Sequence, residues 1–245
     1  VAIDGEGVTH ARLDADAARV AGWLAGRIGP GDRVLLAAGS SLGFLRCYLG
    51  ALRAGAIVVL ASPSGTAAEL GQLVAVSGAS IAFADPVPAG RLGGLPVIGT
   101  GDLAAVLASG PDQAVIGPRP EDIALLAFTS GTTGRPKGVP LTHGEVATSI
   151  RSAMAAWRWS ADDVLVHALP LYHQHGLGGV HATLIAGSSA RLLSKFSAGA
   201  LIGVMGEAGA SVLFGVPTIY QALADALGSP AAAAGGDAED AGPAA

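Results

Sequence analysis

"LLAFTSGTTGRPKGVPLTH", residues 125–143, sets an apolar run against a dense cluster of hydroxyls, glycines and one cation. Thr129, Ser130, Thr132 and Thr133 stand among Gly131, Gly134 and Gly138, with Lys137 behind Pro136. The apolar part, "IALLAF" from Ile123, has the composition of a buried strand. The segment after it reads as a turn, and "THGEVATSIRSAMAAW" as a helix whose Thr142 and Glu145 are spaced as a capping box. A glycine-rich turn after a buried strand aims several backbone N–H groups at one point, and hydroxyls and an ammonium add donors and charge. Such a nest suits phosphate oxygens; the alternative is a polar linker. It is not a Walker loop. Counting from Gly131, Pro136 stands where the second glycine belongs and Gly138 where the hydroxyl belongs.

Outward from this stretch, short apolar runs alternate with helix-periodic segments. Helical spacing runs from Leu13 to Ile28, and "GPGD" at 29–32 stops it before "RVLLAA". The helix-like "LGFLRCYLGALRAG" and the strand-like "AIVVLA" follow. The alternation predicts a helix near 66–76, a strand at 80–84, a helix at 143–156, a strand at 163–168, a helix at 176–186 and a strand at 190–193. It continues with a helix at 197–208, a strand at 211–214 and a helix at 217–227. The fold class is α/β, with mainly parallel sheets covered by helices on both faces. We divide the chain into a first α/β unit, 1–85, a Pro/Gly-rich connection, 86–120, and a second α/β unit, 121–227. The tail, 228–245, has no periodicity or apolar anchor and reads as disordered.

Composition removes several function classes. Hydrophobic residues make up 51% of the 245 and charged residues 13%, enough for a sizeable core. With 14 Lys+Arg and a formal charge of −5, the chain lacks the basic field that grips a nucleic-acid backbone. One cysteine, Cys47, rules out an intramolecular disulfide framework, and no apolar run approaches the ~20 residues of a membrane span. A cytoplasmic protein is the expectation.

The order of the loop residues is more specific than their composition. "FTSGTTGRPKG" resembles the signature of the adenylate-forming superfamily: acyl-CoA synthetases, peptide-synthetase adenylation domains and luciferases. "LDADAARVAGWLAG", "GPGDRVLLAAGSSLGFLRCYLGALRAGAIVVLASP", "DDVLVHALPLYHQHGLGG" and "VLFGVPTIYQAL" resemble further segments of that family's large N-terminal domain. The resemblance implies an AMP-forming acid–CoA ligase that activates a small-molecule carboxylate with ATP and Mg2+, then passes the acyl group to coenzyme A. It makes Thr129, Ser130, Gly131, Thr132, Thr133, Gly134, Lys137 and Gly138 a loop for ATP phosphates. No protein nucleophile is required, so no catalytic residue is assigned. His175 matches a position lining the acyl pocket, and Gly215, Val216 and Pro217 are candidates for its wall. "PLYHQHGLGG", "LLSKF" and "LFGVPTIY" look most like malonyl-CoA synthetases and fatty-acyl ligases.

The family's adenine-binding segment, ribose aspartate and C-terminal lid have no counterpart in this sequence, which reads as an N-terminal half. Activity of the chain alone is not expected, and an interrupted sheet should favour self-association or a complementary polypeptide. A non-catalytic remnant or interaction module is the second reading.

A rival enzyme reading starts from Gly39, Ser41 and Gly43, which satisfy G-x-S-x-G between a strand and a helix, with Asp162 or Asp163 and a later His as partners. Too few residues precede Ser41 for the strands an α/β-hydrolase lays down first. His173, His175 and His181 could be read as metal ligands, but no third ligand at helix spacing and no Cys support follows, so pocket or core histidines are the favoured reading and no metal held by these side chains is expected. Trp157 and Trp159 read as packing, Cys47 as an inert core thiol, and Arg46 and Arg53 as a solvated helix edge.

Overall fold

The computed structural model describes residues 1–110, 117–129 and 137–228. The first sheet is built around β3 (Arg33–Ala37), β4 (Ile57–Ala61) and β5 (Ile81–Ala84), joined through α2 (Leu42–Arg53) and α3 (Ala67–Ser77). Strands β6 (Val97–Gly99), β7 (Ile123–Thr129) and β8 (Lys137–Thr142) complete the order β6-β5-β3-β4-β7-β8. All neighbours are parallel except β7 and β8.

Both faces of this sheet are covered, as its unbroken apolar strands require. Side chains alternate along a strand, so Leu35, Ala37, Val59 and Ala61 face α3 through Leu70 and Leu73. Val34, Leu36, Val58 and Phe83 belong to the larger cluster with Phe44 and Tyr48 of α2 and with Leu13, Val20 and Leu24 of α1 (His10–Ala25). Complete burial of each such side chain is worth roughly 1.5–3 kcal/mol.

The second sheet has the order β11-β9-β10-β1-β2, from β1 (Ala2–Ile3), β2 (Glu6–Gly7), β9 (Val164–His167), β10 (Ser189–Leu192) and β11 (Val212–Phe214). Helices α6 (His143–Trp157), α7 (Gln174–Ala186), α8 (Ala198–Ala208) and α9 (Pro217–Gly228) accompany it. The two sheets exchange chain segments: β1 and β2 from the N-terminus join the second, whereas β7 and β8 close the first. They also share one core cluster, reinforced where the Tyr48 hydroxyl meets His181 Nε2 at 3.0 Å and Leu171 N donates to Ser40 Oγ at 3.1 Å.

Several elements differ from the sequence expectation. Helix α1 starts at His10 and ends at Ala25, because Thr9 caps it by accepting from Arg12 N and Gly26 closes it. The β1–β2 hairpin turns through Asp4 and Gly5, both at positive φ, a two-residue signal too short for periodicity to reveal. Within 86–120, α4 (Pro86–Ala89), β6 and α5 (Ala104–Ser109) are ordered. Strand β8 intervenes where a turn was expected to lead directly into α6, since Val139 and Leu141 alternate on an edge strand. Arg46 and Arg53 are not a free edge: Arg46 Nε meets the buried Asp16 carboxylate at 2.8 Å and Arg53 pairs with Asp14.

Candidate functional site

Strands β7 and β8 form an antiparallel hairpin whose register pairs Phe128 with Gly138 and Thr129 with Lys137. The phosphate-loop candidates therefore divide. Thr129 ends one strand and Lys137 begins the other, while Ser130, Gly131, Thr132, Thr133 and Gly134 lie outside the described residues. Lys137 is exposed. At Gly138 a Cβ would come within 3.0 Å of Leu126 Cδ1 and 3.2 Å of Phe128 Cζ, so a side chain there would press on the apolar base of the hairpin. The far end of β8 runs into α6 through a complete capping box: Thr142 Oγ1 accepts from Glu145 N at 3.1 Å, and Glu145 Oε2 accepts from Thr142 N at 2.8 Å. Those bonds hold the Glu145 carboxyl below its ordinary range.

The remaining candidates gather at the carboxyl ends of β9 and β11. From β9 the chain steps to β10 on one side, then returns to lay β11 on the other, so strand order reverses at the β11–β9 pair. Crevices at such reversals are the usual ligand positions of open parallel sheets. His167 and Phe214 end the two strands, are register partners, and stack at 6.4 Å between ring centroids. The His175 ring lies 5.5 Å from Phe214, and Trp157 and Trp159 meet Phe214 edge-on at 5.3 and 5.7 Å. Between α6, α7 and Phe214 is a cavity of about 320 Å3, bordered by His175, Gln174, Trp157, Trp159 and Met154 among others.

The approach of α7 to the sheet depends on glycine. A Cβ on Gly176 would lie 2.4 Å from the Pro170 carbonyl oxygen, and one on Gly179 only 2.8 Å from Leu165 Cδ2. Gly215, Val216 and Pro217 form the turn just past Phe214 and are not among the residues bordering the cavity. Val216 O accepts from Ile219 N and Tyr220 N, with Pro217 in the first turn of α9, where its missing N–H costs nothing.

The histidines do different work. His167 is fully buried; its Nδ1 accepts from Leu169 N at 3.1 Å, which leaves the neutral ring's proton on Nε2, without a partner among the described residues. Burial first, and the neighbouring His175 second, push its pKa down to about 4. His181, for which the sequence favours a core role over a metal ligand, is the half-buried partner of Tyr48 and is likewise pushed down to about 4, chiefly by loss of hydration. His173 packs its ring on Tyr172, at 4.6 Å between centroids. Among the described residues no group of three or more His, Cys, Asp or Glu stands together as a metal site.

The hydrolase reading of Ser41 fails on the same contacts. Ser41 Oγ accepts from Phe44 N at 3.0 Å as the N-cap of α2, and the Asp163 carboxylate is engaged by Ser160 and Ser211. Cys47 is buried and its thiol is pushed up by burial, as an inert core thiol should be. Trp157 and Trp159 do pack, but they also border the cavity, which the sequence did not reveal because its walls come from segments far apart in the chain. No helix among the described residues is long and apolar enough to cross a membrane.

A sequence model of the family described as AMP-binding enzyme matches residues 1–241. A feruloyl-CoA synthase of Amycolatopsis sp is 34% identical over 230 residues, 90% of this chain and 46% of that protein. An oxalate–CoA ligase of Arabidopsis thaliana is 33% identical over 242 residues, 89% of this chain and 46% of that protein. The crystal structure of ATP-bound MatB from Rhodopseudomonas palustris superposes with a TM-score of 0.83 at 35% identity, over 94% of this chain and 48% of that one. The chain thus spans about half the length of the relatives it matches. Matched along almost all of its length, with the α/β fold of the N-terminal domain of adenylate-forming enzymes, the chain belongs to the AMP-binding enzyme family.

Proposed function

We propose that the chain supplies the phosphate-binding and acyl-binding portion of an ATP-dependent acid–CoA ligase. The observation that carries this reading is the β7–β8 hairpin, which brings Thr129 and Lys137 opposite each other at the two ends of the Ser/Thr/Gly segment. Residues Thr129 to Gly138 hold the β- and γ-phosphates of ATP, with Lys137 supplying positive charge as negative charge develops on the departing pyrophosphate. The carboxylate substrate lies with its carboxyl group toward that hairpin and its remainder toward His175 and Phe214. One of its oxygens attacks the α-phosphorus, pyrophosphate leaves, and the thiol of coenzyme A then displaces AMP from the acyl group. The protein's share is placement and charge stabilisation, without a covalent protein intermediate.

Mg2+ fits this scheme as a companion of the nucleotide. It prefers one or two carboxylates plus phosphate oxygens to an all-protein cage. The unit boundaries at 85 and 120, the location in the cytoplasm, and the need for a complementary polypeptide belong to the same reading.

Carboxylate-dependent ATP–pyrophosphate exchange on the purified chain tests it, with Lys137→Ala as control. Exchange that disappears in the variant supports the assignment; exchange unchanged by the variant removes Lys137 from the site. No exchange from the folded chain alone is the outcome expected of an N-terminal half; no exchange when it is supplied with the remaining part of a relative counts against the ligase reading of this chain.

A further inference from the structure

The cavity between α6 and α7 has a chemistry of its own. Its walls are Trp157, Trp159, Phe214, Met154 and Ile150, and no Lys, Arg, Asp or Glu borders it. A second carboxylate placed there would lose hydration with no Lys or Arg to pair with it, so a short dicarboxylic acid is a poor match. The space is about 320 Å3, kept open by small residues: Gly178 and Ala182 on α7 and Ala153 on α6. A Cβ added at Gly178 would already stand 3.3 Å from Ile150 Cδ1. A dry cavity of about 150 Å3 takes a benzene ring, so this one takes a ring with a short linker. Aromatic walls favour such a ring through offset and edge-to-face contacts beyond simple burial.

Three polar side chains, Ser149, Gln174 and His175, also border the cavity, and one of them carries an unmatched atom. Gln174 borders the cavity, and its Oε1 is buried without a hydrogen-bond partner among the described residues. A buried acceptor left unmatched is costly, and a ligand that brings an O–H removes that cost.

We propose that this cavity receives the ring of an aromatic carboxylic acid whose ring hydroxyl donates to Gln174 Oε1. The proposal rests on the acid–CoA ligase reading for the carboxyl end of the ligand, while the cavity's selectivity for the other end follows from its own walls. Gln174 and the small residues Ala153, Gly178 and Ala182 become the specificity determinants, the first for the hydroxyl and the others for room.

Calorimetric titration of the chain without ATP tests the idea, using 3-(4-hydroxyphenyl)propanoate, 3-phenylpropanoate, octanoate and malonate. The hydroxylated acid should bind tightest, with 3-phenylpropanoate roughly tenfold weaker, as one neutral hydrogen bond implies. Gln174→Leu should erase that difference while leaving 3-phenylpropanoate unchanged. Ala153→Phe, at a half-buried position, should abolish binding of both aromatic acids while the circular dichroism and Tm stay close to those of the parent. Octanoate or malonate binding as tightly as the hydroxylated acid would overturn the proposal, as would equal binding of the two aromatic acids to the parent or no binding of either at millimolar concentration. Because binding is read without nucleotide, the two readings separate. Pyrophosphate exchange with other acids but no aromatic binding removes the cavity assignment alone, and aromatic binding without exchange even when the remaining part of a relative is supplied removes the ligase reading alone.

Discussion

Thr129 and Lys137 are cross-strand partners at the end of the β7–β8 hairpin, so the two ends of the segment richest in hydroxyls and glycines are fixed by a sheet that is otherwise parallel. A loop tethered this way has a defined starting point and a defined return. Phosphate oxygens approaching from the loop side would meet an exposed ammonium whose backbone is already held.

For Lys137→Ala, in the chain supplied with the remaining part of a relative, the expected result is a loss of roughly 10²-fold in pyrophosphate exchange, the scale seen when one donor to a developing charge is removed. Its exposure means stability should change by no more than about 0.5 kcal/mol, checked by urea unfolding. A large loss of stability would instead make the lysine a structural residue.

The glycines of α7 should rank by what surrounds them. Gly176→Ala puts a methyl 2.4 Å from the Pro170 backbone oxygen, which cannot swing aside, and should cost about 3 kcal/mol. Gly178→Ala meets only the end of Ile150 at 3.3 Å and gains helix propensity of about 1 kcal/mol, so it should be near neutral. Equal effects of the two in denaturant titrations would contradict the close approach of α7 to the turn after β9.

Stability should fall in mild acid. His167, fully buried, and His181, half-buried, are held as neutral rings with pKa values near 4, below the ordinary 6.5, so the unfolded chain binds more protons between those values. Their stabilising contribution is complete above about pH 6.5 and is lost as the pH falls toward 4, by about 3 kcal/mol for each ring. Urea midpoints at pH 7.5, 5.5 and 4.5 measure the slope, and His181→Gln should reduce it by the share of one proton.

Replacing Thr142 by Ala removes the acceptor for Glu145 N and half of the capping box at the start of α6, for an expected loss of about 1 kcal/mol. Thr142→Ser, which keeps the hydroxyl, should recover most of it. Thermal unfolding of the two variants side by side decides the matter.

Trp157, Val216, Tyr220 and Leu227 are exposed around β11, which ends its sheet among the described strands, and around α9. Light scattering should therefore show association that rises with concentration. A monomer at high concentration would count against it, and aggregation abolished by Leu227→Lys would place the contact on α9.

The sequence by itself determined the α/β class, the long helices and the strands between them, because apolar period and cap residues are local properties. Thr142 and Glu145 declare a helix start from three residues' spacing, and the succession of hydroxyl and glycine residues ending in Lys137 carries a family signature without reference to neighbours. What only the tertiary structure decided was partnership. Periodicity cannot say that β1 crosses to the second sheet, that β8 exists as an antiparallel edge, or that His181 is spent on Tyr48. Nor can it bring Trp157, Gln174 and Phe214 around one cavity, since their contact arises from helices and strands folding over one another and not from spacing along the chain. Local order is written in neighbouring residues; a site is written in the closure of distant ones, which becomes visible only once the core has packed.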